Sequence, residues 1–283
     1  MTSQNVFETI SSQYFQLTNS EKKVADYVLG HRIDAQYMSI SELAEECDVA
    51  DATISRFCRR LGIGGYNAFK LELAKASMAS RAGISEEKDS GNSQFGEFCR
   101  KLIGENAVAL EQTAQLLDPE KVRQALELMR MAGRVVCMGQ GGSMVLAQEA
   151  WTMFSTISPK YVFVPDSHLQ INTVALMDPR DVILFFSYSG STRDLQDVLE
   201  VARERGVKVI LISRFPKSPC GQMADVVLQC GANESPLQAG SATARIAQLF
   251  VLEVLFQKLY DSNIQEAEES RERIAEAVSR KHL

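Results

Sequence analysis

No stretch of about 18 apolar residues occurs in the 283-residue sequence, so no segment has the length and composition of a membrane-crossing helix. The opening MTSQNVFETISSQ lacks the basic-then-apolar order of a secretory signal, and a cytoplasmic location is expected. The six cysteines, Cys47, Cys58, Cys99, Cys137, Cys220 and Cys230, form no C-x-x-C pair. Their scatter fits small apolar thiols in a reduced compartment, not a zinc site or a disulfide framework. Excess positive charge is missing too: 30 Lys and Arg stand against 36 Asp and Glu, a net of −6. An acidic chain does not wrap nucleic acid indiscriminately, although a local contact stays open. What is present is apolar material, 45 % of residues, in a length that suits one or two domains with a large core.

The pattern changes twice along the chain. Residues 1–81 carry helical periodicity and no strand-like run; Thr18 with Glu21 and Ser39 with Glu42 each form a Ser/Thr-x-x-Glu helix start. Residues 82–94 (AGISEEKDSGNSQ) hold only two apolar side chains among Gly, Ser and charge and read as a linker. Helical pattern resumes over 95–132, with Phe98, Leu102, Ile103, Val108 and Leu110 as candidate core positions. From 134 onward, apolar runs of strand length (134–138, 160–164, 181–186, 207–212 and 225–229) alternate with helical segments. That alternation predicts a parallel sheet covered on both faces. The expected architecture is two domains: an all-α helix-turn-helix bundle (1–81), then an α/β doubly wound, five-stranded parallel sheet within 95–283. The tail, 264–283, is expected to be a solvated helix with a thin Ile264–Ala267–Ile274–Val278 stripe against a neighbour.

Residues 39–62 (SISELAEECDVADATISRFCRRLG) hold the sharper N-terminal signal. Ala44 is small where two helices must approach, and Asp48 falls at a turn that wants a left-handed backbone. Val49, Ile54 and Phe57 supply the apolar face of the second helix. Its other positions, Asp51, Ala52, Thr53, Ser55, Arg56, Arg59 and Arg60, form the candidate DNA-binding set. Short polar groups there reach base edges in a major groove, and arginines meet guanines or phosphates. A plain helical hairpin with a basic face is the competing reading, but charge distribution favours DNA. Residues 1–55 hold three basic against nine acidic residues, whereas 56–81 hold six basic residues against Glu72 alone. An acidic body with one basic stripe is repelled from DNA in most orientations and attracted in one.

Two loops follow strands. Gly139-Gln-Gly-Gly-Ser143 lets the backbone turn tightly beside a helix N-terminus, a suitable place for an anion. It is neither the dinucleotide fingerprint, because Met144 stands where a third Gly is needed, nor a nucleotide P-loop, so no cofactor is implied. Taken alone it could equally be a tight turn. Ser187-Tyr-Ser-Gly-Ser-Thr192 gathers four Ser/Thr hydroxyls and one Gly before the next helix. Capping needs one hydroxyl, so the surplus points to a small phosphate. Further candidates are Glu234, after the fifth strand, and His168, after the second. Either is a possible general base or a ligand contact, and either has an ordinary structural reading as well.

The S-x-S-G-x-T string, the G-x-G-x-S loop and the five alternating strands together resemble the SIS, or sugar isomerase, domain. With the N-terminal helix-turn-helix, and with Ser55–Ala74 (SRFCRRLGIGGYNAFKLELA) similar to that family's recognition helix and its continuation, the whole chain resembles the RpiR/MurR family of bacterial transcriptional regulators. The resemblance implies a sugar phosphate bound by Gly141, Ser143, Ser187, Ser189, Gly190, Ser191 and Thr192, with His168 and Glu234 near the sugar. Gln140 and Gly142 fill variable positions of the first loop, and Asp194 stands where Glu often follows. The function implied is a non-enzymatic regulator of carbohydrate genes. Its expected partners are double-stranded operator DNA, a sugar phosphate effector and further copies of itself, as a homodimer or homotetramer, with no membrane. The alternative is a phosphosugar isomerase or lyase of the SIS class.

Overall fold

The computed structural model describes residues 5–81, 91–234, 237 and 241–279, and within these the chain divides into two units. Residues 82–90 of the expected linker lie outside the described residues, and its last four already belong to a helix, α6 (Gly91–Leu116).

The first unit, residues 1–102 with 233–241, is built on α1 (Val6–Gln13), α2 (Asn19–Gly30), α3 (Ile40–Glu46), α4 (Asp51–Arg60) and α5 (Tyr66–Arg81). Both sequence-predicted helix starts form reciprocal boxes. The Thr18 hydroxyl accepts the Glu21 N–H while the Glu21 carboxylate accepts the Thr18 N–H, and Ser39 and Glu42 do the same. Between α3 and α4 the chain turns through Asp48 at φ +51, and the Val49 N–H reaches the Ala44 carbonyl at 2.9 Å. Lys23 holds that turn from α2, its ammonium 2.8 Å from the Asp48 carboxylate. Leu43, Ala44, Ile54, Phe57 and Phe69 are buried together, with the Phe57 and Phe69 rings edge to face at 5.7 Å. The Tyr66 hydroxyl donates to the Met38 and Ser39 carbonyls, fixing α5 against the start of α3.

The second unit, residues 103–232 with 242–283, contains α7 (Pro119–Met131), β1 (Val135–Gly139), α8 (Gly142–Phe154), β2 (Tyr161–Phe163), α9 (Ser167–Ala175), β3 (Val182–Phe186), α10 (Arg193–Arg205), β4 (Lys208–Ser213), β5 (Val226–Gln229), α11 (Ala242–Ser262) and α12 (Ile264–Ser279). All neighbouring strands are parallel, in the order β2-β1-β3-β4-β5. Alternate residues of the continuous apolar strands serve opposite faces. Val135, Cys137, Leu184, Phe186, Ile210 and Ile212 pack in the core that includes α8 and α11. Val136, Met138, Ile183, Phe185, Val209 and Leu211 pack in the core that includes α9 and α10. Burial pushes the Cys137 thiol up to about 12, so this cysteine stays a protonated, apolar strand residue.

Two expectations about helix faces are corrected. On α6, Phe98, Leu102, Ile103 and Val108 are exposed and Leu110 is half-buried; the helix buries Ala109 and Thr113 instead. The reason is steric. Gly231 packs so closely on α6 that an added Cβ would lie 2.8 Å from the Ala109 carbonyl oxygen, so only small side chains fit that face. The Gly231 N–H donates to the Thr113 hydroxyl at 2.9 Å. On α12 only Ala267 of the expected stripe is buried. The helix is held to α11 by the Arg271 guanidinium, which lies over the Phe256 and Tyr260 rings.

Candidate functional site

The second helix of the helix-turn-helix, α4, sorts its residues cleanly. Ile54, Phe57 and Cys58 are buried, whereas Asp51, Ala52, Arg56 and Arg59 are exposed and Ser55 is partly so. Ala52, Ser55, Arg56 and Arg59 therefore form one outward stripe at i, i+3, i+4 and i+7 spacing. Asp51 is tied back to α3, its carboxylate accepting the Ser41 hydroxyl at 2.8 Å.

Two members of the sequence-derived set face the protein. Thr53 is buried, and its hydroxyl accepts a hydrogen bond from Arg56. The Arg60 guanidinium turns to Glu21, 3.0 Å from a carboxylate that is itself buried, and also donates to the Gln16 carbonyl. Burial pushes the Glu21 carboxyl up, but the Thr18 N–H and hydroxyl and the Arg60 charge outweigh it and hold the group below the usual carboxylate range. The folded value being the lower one, this stabilisation is present above the unfolded carboxyl's titration and lost as pH falls through the folded value. Arg60→Met is expected to destabilise the helical unit by about 1 kcal/mol at neutral pH, a modest figure because the arginine is 44 % exposed. Urea melts at pH 7 and near pH 3 check it, with the difference between variant and parent shrinking at the acid end.

The second site lies where β1 and β3 end. These strands pair side by side, Gly139 opposite Phe186, and the helices that follow them, α8 and α10, pack on opposite faces of the sheet. A crevice opens between the carboxyl ends of strands at such a switch point. The loop after β3 is built around Gly190 at φ +57. Its N–H donates to the Ser187 hydroxyl at 3.2 Å and its carbonyl accepts the Cys220 N–H at 3.0 Å. Ser187 is buried, so this hydroxyl shapes the loop. Ser189 accepts the Ser191 N–H, and the Ser191 hydroxyl returns to the Ser189 carbonyl. Thr192 is the N-cap residue of α10, yet its side chain makes no capping bond. At α8 the N-cap position is Gly141, at φ +53, which has no side chain to cap with. The Ser143 hydroxyl has no protein partner among the described residues.

His168 is exposed in the first turn of α9, whose N-cap is Asp166. Glu234 belongs to the 233–241 stretch of the first unit and accepts the Ser241 N–H. Sequence reasoning missed the residues that support the loops. The Tyr188 hydroxyl donates to the Ala232 carbonyl, and Ser213 donates to the Tyr188 carbonyl. Gln170, fully buried on α9, binds the first loop. No group of metal-ligating side chains occurs among the described residues.

Comparison with known proteins follows the same division. Residues 4–81 match the helix-turn-helix domain of the rpiR family, and residues 128–258 match the SIS domain. The chain is 30 % identical over 276 residues to an HTH-type transcriptional regulator of Caldanaerobacter subterraneus, covering 95 % of this chain and 96 % of that one. It is 30 % identical over 251 residues to the HTH-type transcriptional regulator HexR of Pseudomonas aeruginosa, covering 89 % and 87 %. Among solved structures it is similar to Vibrio vulnificus NanR complexed with ManNAc-6P, with TM-score 0.87, 25 % identity and coverage of 98 % and 99 %.

Proposed function

Because this chain belongs to the rpiR family of helix-turn-helix transcriptional regulators with a SIS domain, we propose that a sugar phosphate bound at the β1–β3 crevice controls its grip on operator DNA. The observation that carries the reading is the pair of uncapped helix starts, α8 and α10, on adjacent parallel strands. Both starts present a positive dipole end that favours an anion; at α10 the first turn has no side-chain cap, whereas at α8 the Ser143 and Met144 N–H groups fold back on the Gln140 and Gly141 carbonyls. The Ser143 and Thr192 hydroxyls add donors on either side. Ser189 and Ser191 complete the phosphate cradle, Gly190 lets the backbone approach closely, and Ser187 holds the shape of the loop. NanR, a structural relative over nearly the full chain, carries a sugar phosphate in its complex, which supports the same ligand class here. His168 is assigned to the sugar side of the ligand, and Glu234, which belongs to the first unit, is given no place at this crevice.

DNA contact is assigned to the Ala52–Ser55–Arg56–Arg59 stripe within the domain at 1–81, and ligand binding to the domain at 95–283. A cytoplasmic homodimer or homotetramer presents paired stripes to a palindromic operator with half-sites about one helical turn apart. The effector binds the DNA-competent and DNA-incompetent arrangements with different affinity and shifts their populations. It acts on carbohydrate genes as a regulator, without turnover of its ligand.

The test is a melting-shift screen of hexose and pentose phosphates on the full chain, followed by Thr192→Val and Ser143→Ala. One phosphosugar is expected to raise the parent's melting temperature, and each variant to lose most of that rise while melting normally without ligand. A shift that survives both substitutions places the phosphate elsewhere, and turnover of the ligand by the purified protein would make the chain an enzyme.

A further inference from the structure

Gln170 sits among the least expected buried residues of the α/β unit: it is fully enclosed, whereas its helix neighbour Leu169 is exposed. Its amide is fully engaged at the end of β1. Nε2 donates to the Val164 carbonyl at 2.8 Å and to the Gly139 carbonyl at 3.2 Å, and Oε1 accepts from Gln140 Nε2 at 2.7 Å. Two backbone carbonyls can only accept, so they decide which end of the Gln170 amide is nitrogen. The remaining oxygen in turn decides which end of the Gln140 amide is nitrogen. Buried groups thus set the Gln140 side chain, which stands in the first Gly/Ser loop between Gly139 and Gly141. Gln140 Oε1 has no protein partner among the described residues and is not a buried unpaired atom.

We propose that Gln140 reads the sugar part of the effector, its Oε1 accepting a hydrogen bond from a sugar hydroxyl, with Gln170 as the positioning residue. The inference rests on the phosphosugar reading of the crevice and goes further by naming what selects among phosphosugars. The chemistry follows from donor and acceptor counting. The cradle assigned to the phosphate consists of hydroxyls and helix-start N–H groups, all able to donate to an anion. A carbonyl oxygen fixed beside it offers an ionised phosphate nothing. It suits a group that can donate and carries no charge, which in a sugar phosphate is a hydroxyl. Fixing an acceptor by buried bonds removes the ordering cost of binding and makes an analogue lacking that hydroxyl a poor ligand.

Titration calorimetry on the full chain tests this with hexose 6-phosphates, their monodeoxy analogues and inorganic phosphate. The parent protein is expected to bind its best hexose phosphate at least about tenfold tighter than one monodeoxy analogue. Gln140→Met, nearly isosteric and on a half-buried loop, is expected to bind parent sugar and analogue alike, with inorganic phosphate affinity kept within about twofold. If methionine prevents folding, Gln140→Ala gives the same readout. Discrimination that persists in the variant overturns the proposal. So does a loss of inorganic phosphate binding together with sugar binding, because Gln140 would then be supporting the phosphate loop. Failure of the parent itself to bind phosphate or any sugar phosphate overturns the crevice reading, and the proposal with it.

Discussion

Gly190→Ala is expected to abolish the thermal response to sugar phosphate and to destabilise the α/β unit by about 2–4 kcal/mol. Two costs combine. The residue sits at φ +57, a conformation that L side chains rarely adopt. A Cβ there would lie 2.1 Å from the Ser218 hydroxyl oxygen and 3.1 Å from Ser218 Cβ. Ser218 is fully buried, and its hydroxyl accepts the Gly221 N–H at 3.1 Å, so it cannot swing aside without leaving that donor unpaired. The strain falls on the loop itself, because the Gly190 N–H and carbonyl are what join Ser187 to Cys220. Differential scanning calorimetry should show a melting temperature lower by roughly 6–12 °C. Gly104→Ala is the control. Gly104 lies within α6 with nothing near its added Cβ, so the same chemical change there should stabilise by up to about 1 kcal/mol. The double variant Gly190→Ala with Ser218→Gly should recover part of the stability, since it removes the clash and keeps the backbone strain. A ligand shift of normal size in Gly190→Ala would mean that the loop does not hold the phosphate.

What sequence alone revealed, and where it failed, has a common physical cause. All five strands lie within one or two residues of their expected limits, because a parallel strand buried on both faces is a continuous apolar run bounded by turn residues. The helix starts were legible because Thr18 with Glu21 and Ser39 with Glu42 carry their partners three residues away. The Asp48 turn was legible for the same reason: its signal is local. Long-range partners were not. Nothing near Arg60 in sequence announces that its guanidinium meets Glu21, which lies 39 residues away. Periodicity shows that α6 has an apolar face but not what covers it, and the α/β unit takes the small face of Ala109 and Thr113 because Gly231 leaves no room for more. Polarity alone would put a leucine inside and a glutamine outside, yet Gln170 is fully buried and Leu169 is exposed. Two carbonyls at the ends of neighbouring strands need donors there, and an amide can satisfy both while leucine can satisfy neither.

The Arg56→Ala and Arg59→Ala pair is expected to remove specific DNA binding, each single change costing about 1–3 kcal/mol and the double change roughly the sum. Arg59 is the cleaner probe. It is exposed, at the end of the outward stripe of α4, and no bond to another described residue holds its guanidinium. Arg56 is exposed too but donates to Thr53 at 3.1 Å, so part of its effect passes through the buried threonine. Charge bookkeeping makes the loss large. Residues 56–81 carry six basic residues against one acidic, whereas the remainder of this net −6 chain is acidic. With so few positive charges available, two fewer leave little to offset repulsion between the acidic body and the phosphates. Anisotropy titrations against the upstream intergenic DNA, run at several salt concentrations, separate the two roles an arginine can have. An arginine on a phosphate lowers the salt slope by about one when removed and weakens all sequences alike. An arginine on a guanine edge weakens the operator selectively and leaves non-specific binding nearly unchanged. Arg60→Met supplies the contrast within the same helix: its guanidinium is committed to Glu21, so operator affinity should stay near that of the parent while stability falls. If Arg60→Met loses DNA as strongly as Arg59→Ala does, the inward and outward faces of α4 have been assigned the wrong way round.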